Sequence, residues 1–162
     1  MSYQKLQGYL AVEIIPSDNC NVPFPGDVTE GVNSATEPNS LIDETTNFIK
    51  EGINIGDIVY NLTSSTAATV IDVPKDNYLT LNADIFAGES QVYKIFPASP
   101  QSGAQDANNG CVLYVGEEGN LNVTTIGGTE VLFSKMANGF VPVQVKKVWS
   151  KNTDAKSIIG LW

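Results

Sequence analysis

Residues 141–162 read VPVQVKKVWSKNTDAKSIIGLW. Two apolar runs, FVPVQVKKVW (140–149) and SIIGLW (157–162), flank the polar turn SKNTDAK. Alternation over such short runs marks half-buried strands, because successive side chains of an extended chain point to opposite faces. Val141, Val143, Val145, Lys147 and Trp149 fall in phase on one side of the first run. In the second run Ile159 and Leu161 share one face, and Ile158 and Trp162 share the other. Pro142 has no amide to donate, so its strand is expected to be an edge there or to start near it. Two strands alone cannot bury these faces, so more strands are expected upstream.

They are legible. CVLYVG (111–116) reads as a buried strand, and VGEEGN (115–120) turns the chain. LNVTT (121–125) and TEVLFS (129–134) flank Ile126-Gly127-Gly128, and Gly-Gly is a tight-hairpin signal. Further back, GDIVYNL (56–62), AATVIDV (67–73), NYLTLN (77–82) and QVYKIF (91–96) are rich in β-branched and aromatic residues between turn formers. Short strands so spaced suit a small twisted barrel or sandwich. SLIDETTNFIKEG (40–52) reads as a turn or short helix, with Ser40 or Asp43 as cap and Gly52 as terminator. MSYQKLQGYLAVEII (1–15) has one Lys, a short apolar run and no cleavage-like end, so it is expected to be a first strand, not a signal peptide.

Charge divides the chain. The 162 residues carry a net charge of −9. Residues 26–108 hold twelve acids against three lysines, whereas 109–162 hold four acids against five lysines. Both flanks of the acidic middle, PFPGDVTEGVNSATEPNS (23–40) and PASPQSGAQDANNG (97–110), read as linkers rich in Pro, Gly, Ser and Asn. The expected fold is all-β: an antiparallel β-sandwich or barrel built from both chain ends, residues 1–25 and 109–162. A small inserted β-barrel-like module, residues 26–108, interrupts it; exposed loops tolerate such splicing.

The chain has little chemistry to offer. All nine basic residues are Lys, with no His and no Arg. Without His there is no Ser-His or Cys-His nucleophile pair and no imidazole metal ligand. Without Arg and with a negative total, neither phosphate-driven nucleic-acid binding nor an anionic membrane surface is expected as a partner. Cys20 and Cys111 make no CxxC and read as small buried thiols. Asp43, Glu44, Asp84, Glu117 and Glu118 are carboxylates suited to acid–base work only if two converge on one cleft; solvated loop charges are the simpler reading. Asp18, Asn19 and Asn21, and again Asp106, Asn108, Asn109 and Gly110, offer oxygen ligands for calcium, but turn chemistry is the commoner use. No catalytic residue, cofactor or metal is expected. The Asn61-Leu62-Thr63 and Asn122-Val123-Thr124 sequons read as chance. Most aromatics lie inside apolar strands, which leaves Trp149 and Trp162 as candidate contact residues, with Pro142 and Val143 beside them.

IIPSDNCN (14–21) and the stretch from Gly110 to Trp162 resemble a small virion protein of tailed bacteriophages and gene transfer agents. The resemblance lies in Pro16 to Asp18, Leu113 to Gly116, Gly127 and Gly128, Pro142 to Lys146, and Ile158 to Trp162. The middle resembles a small β-module of other phage structural proteins, through its Gly-Asp-x-Val and Ala-Thr-Val strands. Such proteins are spike-base, head-spike or virion structural components without a catalytic motif to carry over. The resemblance implies a non-enzymatic capsid decoration, cement or head spike-base protein, assembled in the host cytoplasm and resident in the virion. Its implied partners are the major capsid protein, other virion proteins and further copies of itself. A neck, tail or baseplate component is the next expectation. A host-surface carbohydrate-binding module, which needs an exposed aromatic platform, comes after that.

Overall fold

The structure, a computed structural model, describes residues 10–98 and 110–162. Among them there is no α-helix. Twelve strands follow in order: β1 (Ala11–Glu13), β2 (Thr29–Val32), β3 (Ser40–Ile42), β4 (Ile58–Asn61), β5 (Thr66–Lys75), β6 (Tyr78–Leu81), β7 (Val92–Phe96), β8 (Cys111–Glu117), β9 (Gly119–Thr125), β10 (Glu130–Met136), β11 (Gly139–Val148) and β12 (Lys156–Leu161). They form two antiparallel six-stranded sheets, ordered β1-β12-β8-β11-β9-β10 and β2-β7-β4-β5-β6-β3. The first joins the two chain ends and the second is built wholly from the middle, so the expected all-β class with an inserted β-module holds.

The second sheet curls until its ends meet. The chain just beyond β2 meets the outer strand β3 through the Ala35–Ile42 bridge, and the Ser34 amide donates to the Ile42 carbonyl at 2.8 Å. Leu41, Phe48, Val59, Val70, Leu79, Leu81, Tyr93 and Ile95 fill the barrel so formed. Two sequence expectations are refined here. The stretch 23–40 is not a plain linker, because it contains β2 and the start of β3. Of the two readings of 40–52, turn or short helix, the structure takes the turn: β3 followed by turns. Asp43 still organises those turns by accepting from the Thr45 amide at 2.8 Å and both threonine hydroxyls. Gly52, at φ 76°, ends them in the left-handed region that suits glycine.

The first sheet collects Ile14, Val22, Cys111, Leu113, Val115, Leu121, Val123, Val141, Val145, Val148 and Ile158 on one face. Here β11 departs from its expected phase. Its register shifts between Val141 and Gln144 and again between Val145 and Lys147. The first shift adds two residues to β11 and so keeps Val141 and Val145 on one face, whereas the second is a one-residue β-bulge that flips the alternation beyond Val145. The inward residues are therefore Val141, Val145 and Val148 rather than five in phase. Pro142 sits inside the first bulge of a central strand, neither at an edge nor at a start; a bulge is the third place where a missing amide costs no ladder bond. The Gly127-Gly128 hairpin forms as read, with Gly128 at φ 90°.

Residues 15–20 lie between the two sheets and bond to both. The Ser17 amide donates to the Val148 carbonyl at 2.9 Å, while its hydroxyl donates to the Ala67 carbonyl across the junction at 3.0 Å. Lys147 Nζ donates to the Asp18 carbonyl, and the Lys151 amide to the Asp18 carboxylate. From the barrel, Thr69 Oγ1 and Asn82 Nδ2 both donate to the Asn19 carbonyl, at 2.9 and 2.7 Å. Beneath them Cys20, Ile58, Tyr60, Ala67 and Phe96 form a small apolar core that also touches Val12 and Ile15.

Candidate docking surface

Which side chains of the first sheet point away from its core follows from register. Cys111, Leu113 and Val115 of β8 point inward, so Val112 and Tyr114 point outward. Ile158 and Gly160 of β12 are buried, so Ile159 and Leu161 point outward. Pairing then aligns two rows across the strands. One row runs Glu13, Ile159, Tyr114, Phe140; the other runs Ala11, Leu161, Val112, Gln144. Phe140 is 65% exposed and Tyr114 37%, and their rings meet edge to face at 5.3 Å. The result is a continuous outer surface of aliphatic and aromatic groups with Glu13 at its β1 margin. Apolar patches of this kind on a folded chain mark contact surfaces.

The four residues favoured by sequence lie near this surface but not all on it. Pro142 is exposed, two residues beyond Phe140, whereas Val143 is half-buried against the core. Trp149 is half-buried, its Nε1 donating to Thr124 Oγ1 at 2.8 Å and its ring lying 3.8 Å beneath Lys147 Nζ. Trp162 lies on the inner face, as its phase with Ile158 requires, and its ring covers Gly160 and meets Phe24 edge to face. Neither Trp is an open platform. Phe140 and Tyr114, which sequence reading left in the core, take that place. The signal that finds them is register: Tyr114 alternates with Leu113 and Val115, and Phe140 precedes the bulge.

The candidate chemical groups are dispersed. Asp43 is fully buried, and burial alone would raise its pKa. Bonds from Thr45, Tyr93 and Thr46 outweigh that and hold it below the ordinary carboxylate range. Asp57 is raised by burial, against bonds from the Asn54 and Ala98 amides. Glu44, Asp84, Glu117 and Glu118 are exposed. Cys20 and Cys111 are buried free thiols, pushed by burial up to about 11 and about 12. Asp18 and Asn19 are engaged at the sheet junction, and Asp106, Asn108 and Asn109 lie outside the described residues. Among those described, no three His, Cys, Asp or Glu side chains are grouped to hold a metal ion. Both sequon asparagines are buried and bonded, Asn61 Nδ2 to the Ile85 carbonyl and Asn122 Nδ2 to Glu130. A shallow groove of about 390 Å³ on the barrel is lined by Ile49, Ile53, Ile55, Asp72 and Val73. No family model, curated protein or solved structure matches the chain.

Proposed function

We propose that this chain is a non-enzymatic structural protein of a tailed-bacteriophage virion. Its post is that of a capsid decoration, cement or head spike-base protein, and a neck, tail or baseplate position is the runner-up. The proposal joins the motif resemblance of the chain ends to one structural observation. The outer face of β1, β12, β8 and β11 carries Phe140, Tyr114, Ile159, Leu161 and Val112 on rigid strands, with no polar group poised for chemistry among them. Faces of that composition resemble the interior of an obligate interface. Residues 1–25 and 109–162 serve in this reading as the docking domain. The acidic barrel of residues 26–108 projects and keeps the assembled surface soluble.

The test is particle incorporation. Virions assembled with the wild-type chain are expected to contain it at fixed stoichiometry, and Phe140→Lys is expected to remove it. A chain absent from purified virions overturns the reading. Glycan-array binding lost on Tyr114→Ala would instead assign the edge-to-face aromatic pair to carbohydrate recognition.

A further inference from the structure

We propose that the occupant of the outer face of the first sheet is a second copy of this chain, packed face to face across a two-fold axis. The inference rests on the reading of that face as a docking surface. Its first support is electrostatic. Residues 26–98 carry eleven acids against three lysines, and they form the barrel. The barrel attaches on the inner side of the first sheet: inward-facing Val12 of β1 packs against both the sheet core and the junction core, and Tyr60 of β4 accepts from the Ile15 amide. The outer face therefore points away from the acidic barrel, and in its two rows the charged residue is Glu13, at the margin. Copies that approach through a barrel surface bring two strongly negative bodies together, which like-charge repulsion opposes. Copies that approach through the outer face leave their barrels on opposite sides of the pair. The two sheets between them exceed the screening length of about 8 Å in physiological salt.

The second support is self-complementarity. A two-fold contact needs a patch that matches itself when turned over. Here the mainly aliphatic row Ala11, Leu161, Val112, Gln144 lies, strand for strand, one row from Glu13, Ile159, Tyr114, Phe140. Rows on one face of a sheet are about 7 Å apart. An in-plane axis between them, perpendicular to the strands, lays the aliphatic row of each copy on the aromatic row of the other. Ile159 then lies over Leu161 of the other copy, Tyr114 over Val112, and the exposed Phe140 ring over the Gln144 side chain, with its aliphatic neighbours one strand away, rather than in water.

Sedimentation equilibrium of the purified full chain tests this. Wild type is expected to dimerise, and Phe140→Lys and Tyr114→Lys each to weaken the dimer at least about thirtyfold, the scale of a buried interface anchor. Ile55→Lys, at the 67% exposed position on the barrel groove, is expected to leave the dimer unchanged. Unaltered thermal melting of the Lys variants shows that folding is intact. A chain that stays monomeric to roughly 100 μM, well above the dissociation constants of specific interfaces, overturns the inference. So does a dimer indifferent to Phe140→Lys, or a ring of three or more copies. A monomer that still enters virions in a Phe140-dependent way overturns the second copy as occupant and leaves the virion reading standing, with a shell protein on this face.

Discussion

Gly31 shows how far one missing side chain can decide a local fold. It sits on β2 opposite Tyr93 of β7. A Cβ there would lie 2.6 Å from the Tyr93 ring carbon that bears the hydroxyl and 2.8 Å from the Asp43 carboxylate. Tyr93 is fully buried and its hydroxyl donates to Asp43 at 2.7 Å, so neither group has room to yield. Gly31→Ala is expected to destabilise the chain by about 1–3 kcal/mol, the usual cost of forcing atoms into a packed core, read as a lower denaturant midpoint at unchanged slope. Tyr93→Phe keeps the packing but removes a donor from a buried carboxylate, which costs about 1–3 kcal/mol by itself. The same carboxylate gives the acid limb its sign. Its folded pKa is depressed, so the stability it contributes is complete above its unfolded value of about 3.9 and is lost as pH falls through the lower folded value. Asp57 works the other way, because its folded pKa is raised. Asp43→Asn is therefore expected to lower stability at neutral pH and to flatten its fall below about pH 4, measured by urea unfolding across the acid range.

At the scale of the element, the strands that alternate cleanly were legible and those that break alternation were not. The Gly127-Gly128 hairpin, β4, β6 and β7 follow from turn residues and β-branched runs. β2 was hidden because Thr29-Glu30-Gly31-Val32 has one strong strand former among turn-forming neighbours, and Gly31 is there for Tyr93 rather than for its own propensity. β11 is legible as a strand and its phase holds for Val141 and Val145; it fails beyond them, where the second bulge, which leaves no residue-level signature, turns Val148 inward in place of Lys147 and Trp149. Phe140 and Tyr114 escape notice for another reason: they sit inside apolar runs, where an aromatic is read as core until pairing fixes which face it takes. β12 was read correctly, and one position in it tests the reading. A Cβ on Gly160 would lie 2.8 Å from the Trp162 ring and 2.9 Å from Ile14 Cδ1. Gly160→Ala is expected to push the ring off the inner face, with a red shift of tryptophan emission and a stability loss of about 1–3 kcal/mol. Trp162→Phe should be tolerated far better, because among the described residues no acceptor meets the buried Trp162 Nε1.

At the scale of the molecule the question is whether two sheets with separate cores behave as one body. Two crossings of the chain, between β1 and β2 and between β7 and β8, would alone leave a hinge. What opposes hinging is the Pro16-Ser17-Asp18-Asn19-Cys20 strip, whose polar atoms divide between the sheets. Ser17 bonds Val148 through its amide and Ala67 through its hydroxyl. Asp18 bonds the Lys147 and Lys151 side, and Asn19 bonds Thr69 and Asn82 on the barrel. The Asn82 side chain is itself fixed, because its Oδ1 accepts from the Thr69 amide at 2.9 Å. With the Ile15 amide on Tyr60, four bonds from residues 15–20 cross to the barrel, each contributing about 0.5–1.5 kcal/mol net. With the Cys20–Tyr60–Phe96 core beneath them, they are enough to couple two sheets whose separate stabilities are each small. Wild type is therefore expected to unfold in one calorimetric transition, with van't Hoff and calorimetric enthalpies equal. Removing the Ser17 hydroxyl and the Asn82 amide together, as Ser17→Ala with Asn82→Ala, is expected to separate that transition into two, because the substitutions touch neither principal core. A single sharp transition in the double variant would mean that apolar contact around Tyr60 holds the sheets together without the polar strip. Tyr60→Leu, which deletes the hydroxyl that accepts from the Ile15 amide and the ring that packs on Phe96, would then be the substitution that splits it.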